Sequence, residues 1–379
     1  MGSISLTDMS NPSCLLYGAH DARYEDRPIP AITSPTDVII RIAYTGVCGS
    51  DVHFYLHGGI HRPISPSNPI TMGHESTGIV HAIGPDVTTL SPGDPVALEP
   101  GYACHRCNLC KSGRYNLCRE MKFAAVPGVC HGTLTRFFKL PADYCYRIPE
   151  GTLGLDEATL LEPLGVAVRS VREVGVKPGM SVVVFGAGSV GVLCMAVARE
   201  FGAREFGASK VVGVDLSEKK LAFAESVVGK GAWGGGYVPS GDGEVDGRRL
   251  VEGFCDGDEE GNAGFDVVIE ATGAEACINL GIEVVKVGGA FMQTGLGRKK
   301  VDFPIGKVVG KEVVVKGCFR YGPGDYKLGM QMAVEGRIPL KGFITKIVGF
   351  EEAVEAWETT ARGEGIKTLI RGVDTPVEE

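Results

Sequence analysis

No histidine follows His131 in this 379-residue chain, and no run of basic residues exceeds three. The longest runs are Arg298-Lys299-Lys300 and Arg248-Arg249, and the formal charge is −8. Nucleic-acid binding needs a basic stripe or face, so a nucleic-acid partner is not expected. The 55 glycines follow no Gly-X-Y period, which excludes collagen, and no internal repeat is apparent. Met1 to Ser13 holds no apolar stretch that could serve as a signal peptide. One uncharged run, Pro178 to Ala198, is long enough to suggest a membrane span. Its middle, Gly186-Ala187-Gly188-Ser189-Val190-Gly191, reads as a turn instead. A cytoplasmic chain without a membrane partner is expected, with its 12 cysteines reduced.

What is present is ordinary for a folded chain: 44% hydrophobic and 22% charged residues. The length favours two domains, because single cores stop growing near about 250–300 residues. The early segment is β-rich. Val38–Ala43 reads as a strand, and Gly78–Gly84 with Ser91–Leu98 as two strands joined by turns. Glu157 to Val174 is rich in helix formers, with Pro163 near a bend. Beyond Pro178-Gly179, strands and helices alternate. Val182–Phe185, Val211–Val214, Phe265–Glu270 and Gly289–Thr294 are expected strands; Val190–Phe201 and Lys219–Val228 are expected helices. That alternation predicts a doubly wound parallel sheet. The glycine-rich stretch from Gly229 to Gly264 reads as a surface excursion around a short helix near Arg248–Phe254. Glu351–Arg362 reads as a last helix, followed by a last strand.

Gly186-x-Gly188-x-x-Gly191 follows a strand and opens a helix, and Asp215 lies 24 positions after Gly191 at the end of the next strand. This is the context a dinucleotide fingerprint requires. Gly186 makes the tight turn, Gly188 lets the backbone approach the pyrophosphate, and Gly191 packs helix on strand. Asp215 would accept hydrogen bonds from the adenosine ribose and repel a 2′-phosphate, which favours NAD over NADP.

Two sets of metal-ligand residues precede it. Cys104-x-x-Cys107-x-x-Cys110-x7-Cys118 brings four thiolates into fifteen residues, a closed set suited to structural zinc. An iron–sulfur cluster is the rival, as are unmetallated thiols; the usual cluster run carries proline after its last cysteine, whereas Arg119 follows here. Cys48 and the pair His74-Glu75 form a mixed set. A thiolate, an imidazole and a carboxylate leave zinc an open fourth position, as a catalytic site needs. Alone, these three also fit a buried cysteine and a strand-end histidine.

The order of Gly73-His74-Glu75, the four-cysteine lobe and the later fingerprint resembles the zinc-dependent medium-chain alcohol dehydrogenases over nearly the whole chain. Within them it is similar to the polyol dehydrogenases, and to the fungal xylitol dehydrogenases (D-xylulose reductases) in particular. The residues that carry this are Val47 to His53, Ala97-Leu98-Glu99-Pro100-Gly101-Tyr102, Ser112 to Cys118, Phe123-Ala124-Ala125, Leu161-Glu162-Pro163-Leu164 and Phe319-Arg320-Tyr321-Gly322.

The resemblance implies an α/β fold with a β-rich part. A GroES-like catalytic domain would take residues 1–168 and 318–379, and a Rossmann domain residues 169–317. It implies NAD and two zinc ions per chain. Cys48, His74 and Glu75 would bind catalytic zinc, with Glu162 reaching it directly or through water. Ser50 and His53 match a hydroxyl–imidazole proton path. Phe54, Phe123, Arg320 and Tyr321 match substrate positions. Val190, Asp215, Lys220, Leu296 and Phe319 fall where the family contacts NAD. The expected reaction is reversible oxidation of xylitol to D-xylulose by a homotetramer acting on a small-molecule polyol or ketose. L-arabinitol 4-dehydrogenase and sorbitol dehydrogenase activities are the alternatives. A non-catalytic nucleotide sensor and a zinc-free quinone or enoyl reductase are remote ones, and both would lack ligands present here. Phe54 stands where many animal sorbitol enzymes have Tyr, Val126 where Thr is usual beside the substrate, and Cys318 where Ser is common before Phe-Arg-Tyr; each loses or softens a possible polar contact.

Overall fold

Alternate residues of a strand face opposite sides of a sheet, and in Asp37–Gly46 nearly all residues on both sides are buried. Val38, Ile40 and Ile42 pack against Val80, Val96, Leu98, Phe138 and Leu140 to form one core. A strand buried on both faces belongs at the centre of a sheet, and it lies there. The computed structural model describes residues 10–60, 62–202, 210–255 and 262–376. They divide into two compact units. One takes the chain to Glu162 and resumes at Leu340; the other is Pro163–Pro339.

The first unit is built on a seven-stranded sheet. Its order runs Cys145–Arg147, Pro95–Leu98, Glu75–Ile83, Asp37–Gly46, Lys367–Arg371, Ile344–Val348, and Phe137–Pro141 also pairs with Asp37–Gly46. Glu75 pairs across from Gly46, and Leu369 pairs with Gly46 on the other side. Three strand ends therefore meet: the end of Asp37–Gly46, the start of Glu75–Ile83 and the start of Lys367–Arg371. Cys48 leaves the first of these and begins the helix Gly49–His57. That helix is held by a second core in which Val52 and Tyr55 pack with Trp357 of the helix Ala353–Ala361. The Tyr55 and Trp357 ring centroids are 5.4 Å apart.

The expected helix over Glu157–Val174 is two helices, Leu155–Ala158 and Leu161–Val174. Pro163 sits in the first turn of the second, where its missing N–H leaves no intrahelical bond unmade.

The second unit is a six-stranded parallel sheet in the order Trp233–Tyr237, Val211–Val214, Val182–Phe185, Phe265–Glu270, Val285–Gln293, Val314–Gly317. The expected strands Val182–Phe185, Val211–Val214 and Phe265–Glu270 are found with those bounds. The glycine-rich stretch is not the surface excursion expected. Gly234-Gly235-Gly236 lie in the strand Trp233–Tyr237, paired with Val211–Val214, and Gly243–Phe254 is a twelve-residue helix. The glycines are there for close packing: a Cβ on Gly235 would stand 2.5 Å from the Phe254 ring, and one on Gly236 3.1 Å from Leu221 Cβ. Residues 256–261 of that stretch lie outside the described residues. The uncharged run Pro178–Ala198 divides into a strand, a turn and part of the helix Ser189–Gly202. No helix among the described residues is long and apolar enough to cross a membrane.

Candidate active site and metal centres

Cys48, His74 and Glu75 are brought together at the meeting of the three strand ends. Their ligand atoms all lie within 4.8 Å of one another. His74 and Glu75 are buried. Asp51, on the first turn after Cys48, accepts the Cys48 backbone N–H at 3.0 Å through Oδ2. Its other oxygen lies 3.6 Å from His74 Nδ1. Burial alone would keep His74 neutral, yet the Asp51 and Cys48 charges outweigh it and hold the imidazole well above its usual pKa. A donor set that pulls a proton onto a buried imidazole favours positive charge at that place. A metal ion bound there would displace the proton. The mixed sulfur, nitrogen and oxygen donors suit zinc.

Glu162 is buried on the first turn of Leu161–Val174. It lies outside the group of three, but its charge acts on Lys367. Lys367 was not anticipated from the sequence. It opens the strand Lys367–Arg371, and its Nζ pairs with Glu75 Oε2. Burial opposes its charge, but Glu75 and Cys48 more than compensate and hold its pKa above the ordinary lysine value. Its signal in the sequence is weak, a lysine beside Ile366 at the start of the short strand Lys367–Arg371, which carries a second cation in Arg371. Asp51 was also missed as a positioning group, although its place three residues after Cys48 marks a helix start.

Ser50 and His53 are partly exposed on the helix Gly49–His57, and the His53 ring lies 4.6 Å from that of His57. Phe123 has its ring 5.7 Å from the His74 ring, and a Cβ on Gly101 would stand 2.4 Å from it. Phe54, expected at the substrate, packs in the core with Val52, Tyr55 and Trp357.

The four cysteines also converge. Their Sγ atoms lie 3.5 Å (Cys107–Cys110), 3.9 Å (Cys107–Cys118), 3.5 Å (Cys104–Cys118) and 4.0 Å (Cys104–Cys110) apart. Tetrahedral zinc with bonds of about 2.3 Å requires sulfurs about 3.8 Å apart, so the set fits. The Cys110 backbone N–H, with neighbouring thiols, lowers the Cys107 thiol to about 7. The lobe is tied to the sheet through Glu99, a buried carboxylate. It accepts from Tyr146 Oη at 2.8 Å and from Tyr115 Oη within the lobe.

In the second unit the expected fingerprint glycines Gly186, Gly188 and Gly191 lie in one turn between a strand and a helix. Gly186 has φ of 96°, a conformation glycine adopts freely. Gly191 lies against it, in the first turn of Ser189–Gly202 with Val190. A Cβ on Gly188 would meet nothing within 4 Å, which leaves the open approach a pyrophosphate needs. Asp215 accepts from Ala187 N at 2.7 Å and Ser217 N at 2.9 Å, which orients its carboxylate at the strand end. Lys220 sits in the first turn of Glu218–Val228. Leu296 and Phe319 are exposed apolar side chains, at 68% and 44%. Arg320 is held at φ 58° with its guanidinium 4.6 Å over the Phe319 ring. Tyr321 is buried, 5.9 Å from the Tyr326 ring. Asp325 anchors this loop by accepting Gly322 N at 2.6 Å, and it pairs with Arg172 at 2.8 Å.

Comparison with known proteins agrees with this arrangement. Residues 34–150 match the alcohol dehydrogenase GroES-like domain, and residues 189–335 match the zinc-binding dehydrogenase domain. A probable D-xylulose reductase A of Aspergillus terreus is 46% identical over 96% of this chain and 99% of its own. D-xylulose reductase A of Aspergillus niger is 45% identical over 97% and 99%. Among solved structures, an Escherichia coli oxidoreductase of unknown specificity superposes with a TM-score of 0.84 at 28% identity, covering 96% of this chain and 99% of its own. The chain belongs to the zinc-binding medium-chain dehydrogenases, in the polyol dehydrogenase group that includes the fungal D-xylulose reductases.

Proposed function

We propose that the protein oxidises xylitol to D-xylulose reversibly with NAD, using one catalytic and one structural zinc ion per chain. The observation that carries this is the gathering of Cys48, His74 and Glu75 within 4.8 Å, in a chain related throughout to D-xylulose reductases. Zinc, when bound, supplies a Lewis acid for the substrate hydroxyl, and the nicotinamide accepts the hydride. Cys48, His74 and Glu75 would hold the metal, with Glu162 as a further carboxylate. Asp51 holds the Cys48 backbone and faces His74, so it keeps the imidazole oriented. Ser50 and His53 would take the proton from the substrate hydroxyl to solvent. Phe123 would bound the substrate, and Arg320 and Tyr321 would bind its other hydroxyls. The burial of Phe54 favours a packing role for that side chain.

Gly186, Gly188 and Gly191 would shape the pyrophosphate turn, and Asp215 and Lys220 would select the adenosine end. Val190, Leu296 and Phe319 would line the rest of the dinucleotide. Cys104, Cys107, Cys110 and Cys118 would hold the structural ion.

We also propose a cytoplasmic homotetramer. None of the twelve cysteines is in a disulfide, which fits a reducing compartment. The edge strand Val314–Gly317 exposes Val314 and Val315, and the nearby helix Ile305–Gly310 exposes Ile305 and Val309. An apolar strand edge of this kind is commonly covered by another chain. Initial rates on xylitol, L-arabinitol and sorbitol with NAD and with NADP test the reading. A preference for L-arabinitol moves the substrate assignment, and equal use of NADP removes the role given to Asp215.

A further inference from the structure

Glu270 has none of its surface exposed and belongs to neither metal-ligand set. It ends the strand Phe265–Glu270, in register with Phe185 on one side and Gln293 on the other. The sheet order reverses here. From Val182–Phe185 the chain adds Val211–Val214 and Trp233–Tyr237 on one side, then Phe265–Glu270 and the later strands on the other. In an open parallel sheet that reversal opens a ligand crevice at the carboxyl ends of the strands. A buried acid at such a place needs hydrogen-bond partners. Glu270 Oε1 accepts from Thr272 N at 2.7 Å and from the Thr272 hydroxyl. Both oxygens accept from Gly273 N, at 3.0 and 2.8 Å. Oε2 also accepts from Gln293 Nε2 at 2.6 Å, and that amide donates to Gly295 O at 2.9 Å.

One carboxylate thus ties together two loops, Thr272-Gly273 after its own strand and Gly295-Leu296-Gly297 after the next. The loops touch backbone to backbone. A Cβ on Gly295 would stand 2.7 Å from Thr272 C, and one on Gly297 2.6 Å from Gly273 C. No side chain lies between them to absorb a shift. Thr272 also borders the fingerprint turn, where a Cβ on Gly186 would stand 2.8 Å from Thr272 Cγ2. The tie therefore sits beside the phosphate turn and ends on the loop that presents the exposed Leu296 side chain.

We propose that Glu270 is a positioning residue for the cofactor: it fixes the Gly295–Gly297 loop, and with it Leu296, against the half of NAD beyond the pyrophosphate. This rests on the NAD reading above. A carboxylate accepts at both oxygens, whereas a glutamine amide turns one of them into a donor. Glu270→Gln would set an NH2 group against the Gly273 and Gln293 donors or against those of Thr272, and the two loops would part. Asp215 and Lys220, at the adenosine end, have no part in this tie. The loss should therefore fall on NAD and spare a ligand that holds only the adenosine end.

The test compares wild type, Glu270→Gln and Gln293→Met, each as the full chain. It reads dissociation constants for NAD and for AMP by calorimetric titration, and thermal melting without ligand. Glu270→Gln is expected to weaken NAD by about tenfold or more, the size of lost hydrogen bonds to a charged group, and AMP by less than about twofold. Gln293→Met keeps the length of the side chain and removes the link to Gly295 alone. It should weaken NAD by about threefold to tenfold with AMP unchanged. A lower melting temperature with NAD binding unchanged overturns the proposal, and so does an equal weakening of NAD and AMP. If Glu270→Gln does not fold, Gln293→Met decides by the same two criteria. Wild type that binds AMP and not NAD instead overturns the cofactor reading, so the two failures are told apart.

Discussion

Gly191 lies directly against Gly186: a Cβ on Gly191 would stand 1.8 Å from the Gly186 carbonyl oxygen. No rotation of a side chain relieves a clash with backbone. The strand Val182–Phe185 and the helix Ser189–Gly202 can meet this closely only through glycine. Gly188, two residues on from Gly186, has open space where its Cβ would be. The two glycines should therefore fail differently. Gly191→Ala is expected to destabilise the second unit by about 1–3 kcal/mol, as overpacking does. Gly188→Ala should melt like wild type and bind NAD at least about tenfold more weakly, the added methyl blocking the phosphates. Calorimetric melting and NAD titration separate them; equal losses of stability would refute the distinction.

Cys107→Ser should lower the metal content from two zinc ions per chain to one. The remaining three sulfurs cannot close a tetrahedron, and the lobe loses the ion that orders it. Melting temperature should fall by several degrees, since a loss of about 1 kcal/mol moves a domain of this size by about 2–4 °C. Elemental analysis together with melting checks it. A variant that keeps two zinc ions, or loses one with its melting unchanged, excludes a structural role.

Asp215 uses both carboxylate oxygens on backbone N–H groups, of Ala187 and Ser217. It therefore holds the turn, besides the ribose contact proposed for it. Asp215→Ala is expected to weaken NAD by about ten- to a hundredfold, the size of one or two hydrogen bonds to a charged group. NADP should lose much less, because a repelling charge has also gone. Dissociation constants for both cofactors decide it; equal losses for the two would remove the selectivity argument.

Arg320 is held in a left-handed conformation with its guanidinium over the Phe319 ring. Arg320→Ala should raise KM for xylitol by about tenfold or more through the loss of charge-assisted hydrogen bonds. NAD binding should change by less than that. Steady-state kinetics with each substrate varied in turn give the answer, and an unchanged KM for polyol would remove Arg320 from the substrate site.

Much of this was legible along the chain. The spacing Cys104-x-x-Cys107-x-x-Cys110-x7-Cys118 lies within one short lobe, so sequence distance approximates distance in space. Gly186-x-Gly188-x-x-Gly191 is likewise one turn between a strand and a helix, set by local backbone geometry. The strands Val182–Phe185, Val211–Val214 and Phe265–Glu270 carried runs apolar enough to be bounded to the residue. The glycine-rich stretch after Gly229 was not legible, because glycine carries no periodicity. Its strand pairs with Val211–Val214, and Leu221 and Phe254 pack where Cβ atoms would have been.

The sequence by itself determined which chemistries were available: two ligand sets, one phosphate turn and an acid beyond it. Tertiary structure decided which distant groups act on them. Lys367 reaches Val47 across 320 positions and pairs with Glu75 because three strand ends meet there. Asp51 faces His74 for the same reason. Register between strands is set by long-range packing of their buried faces, which no local pattern encodes. The charge balance around Glu75 is therefore a property of the folded sheet.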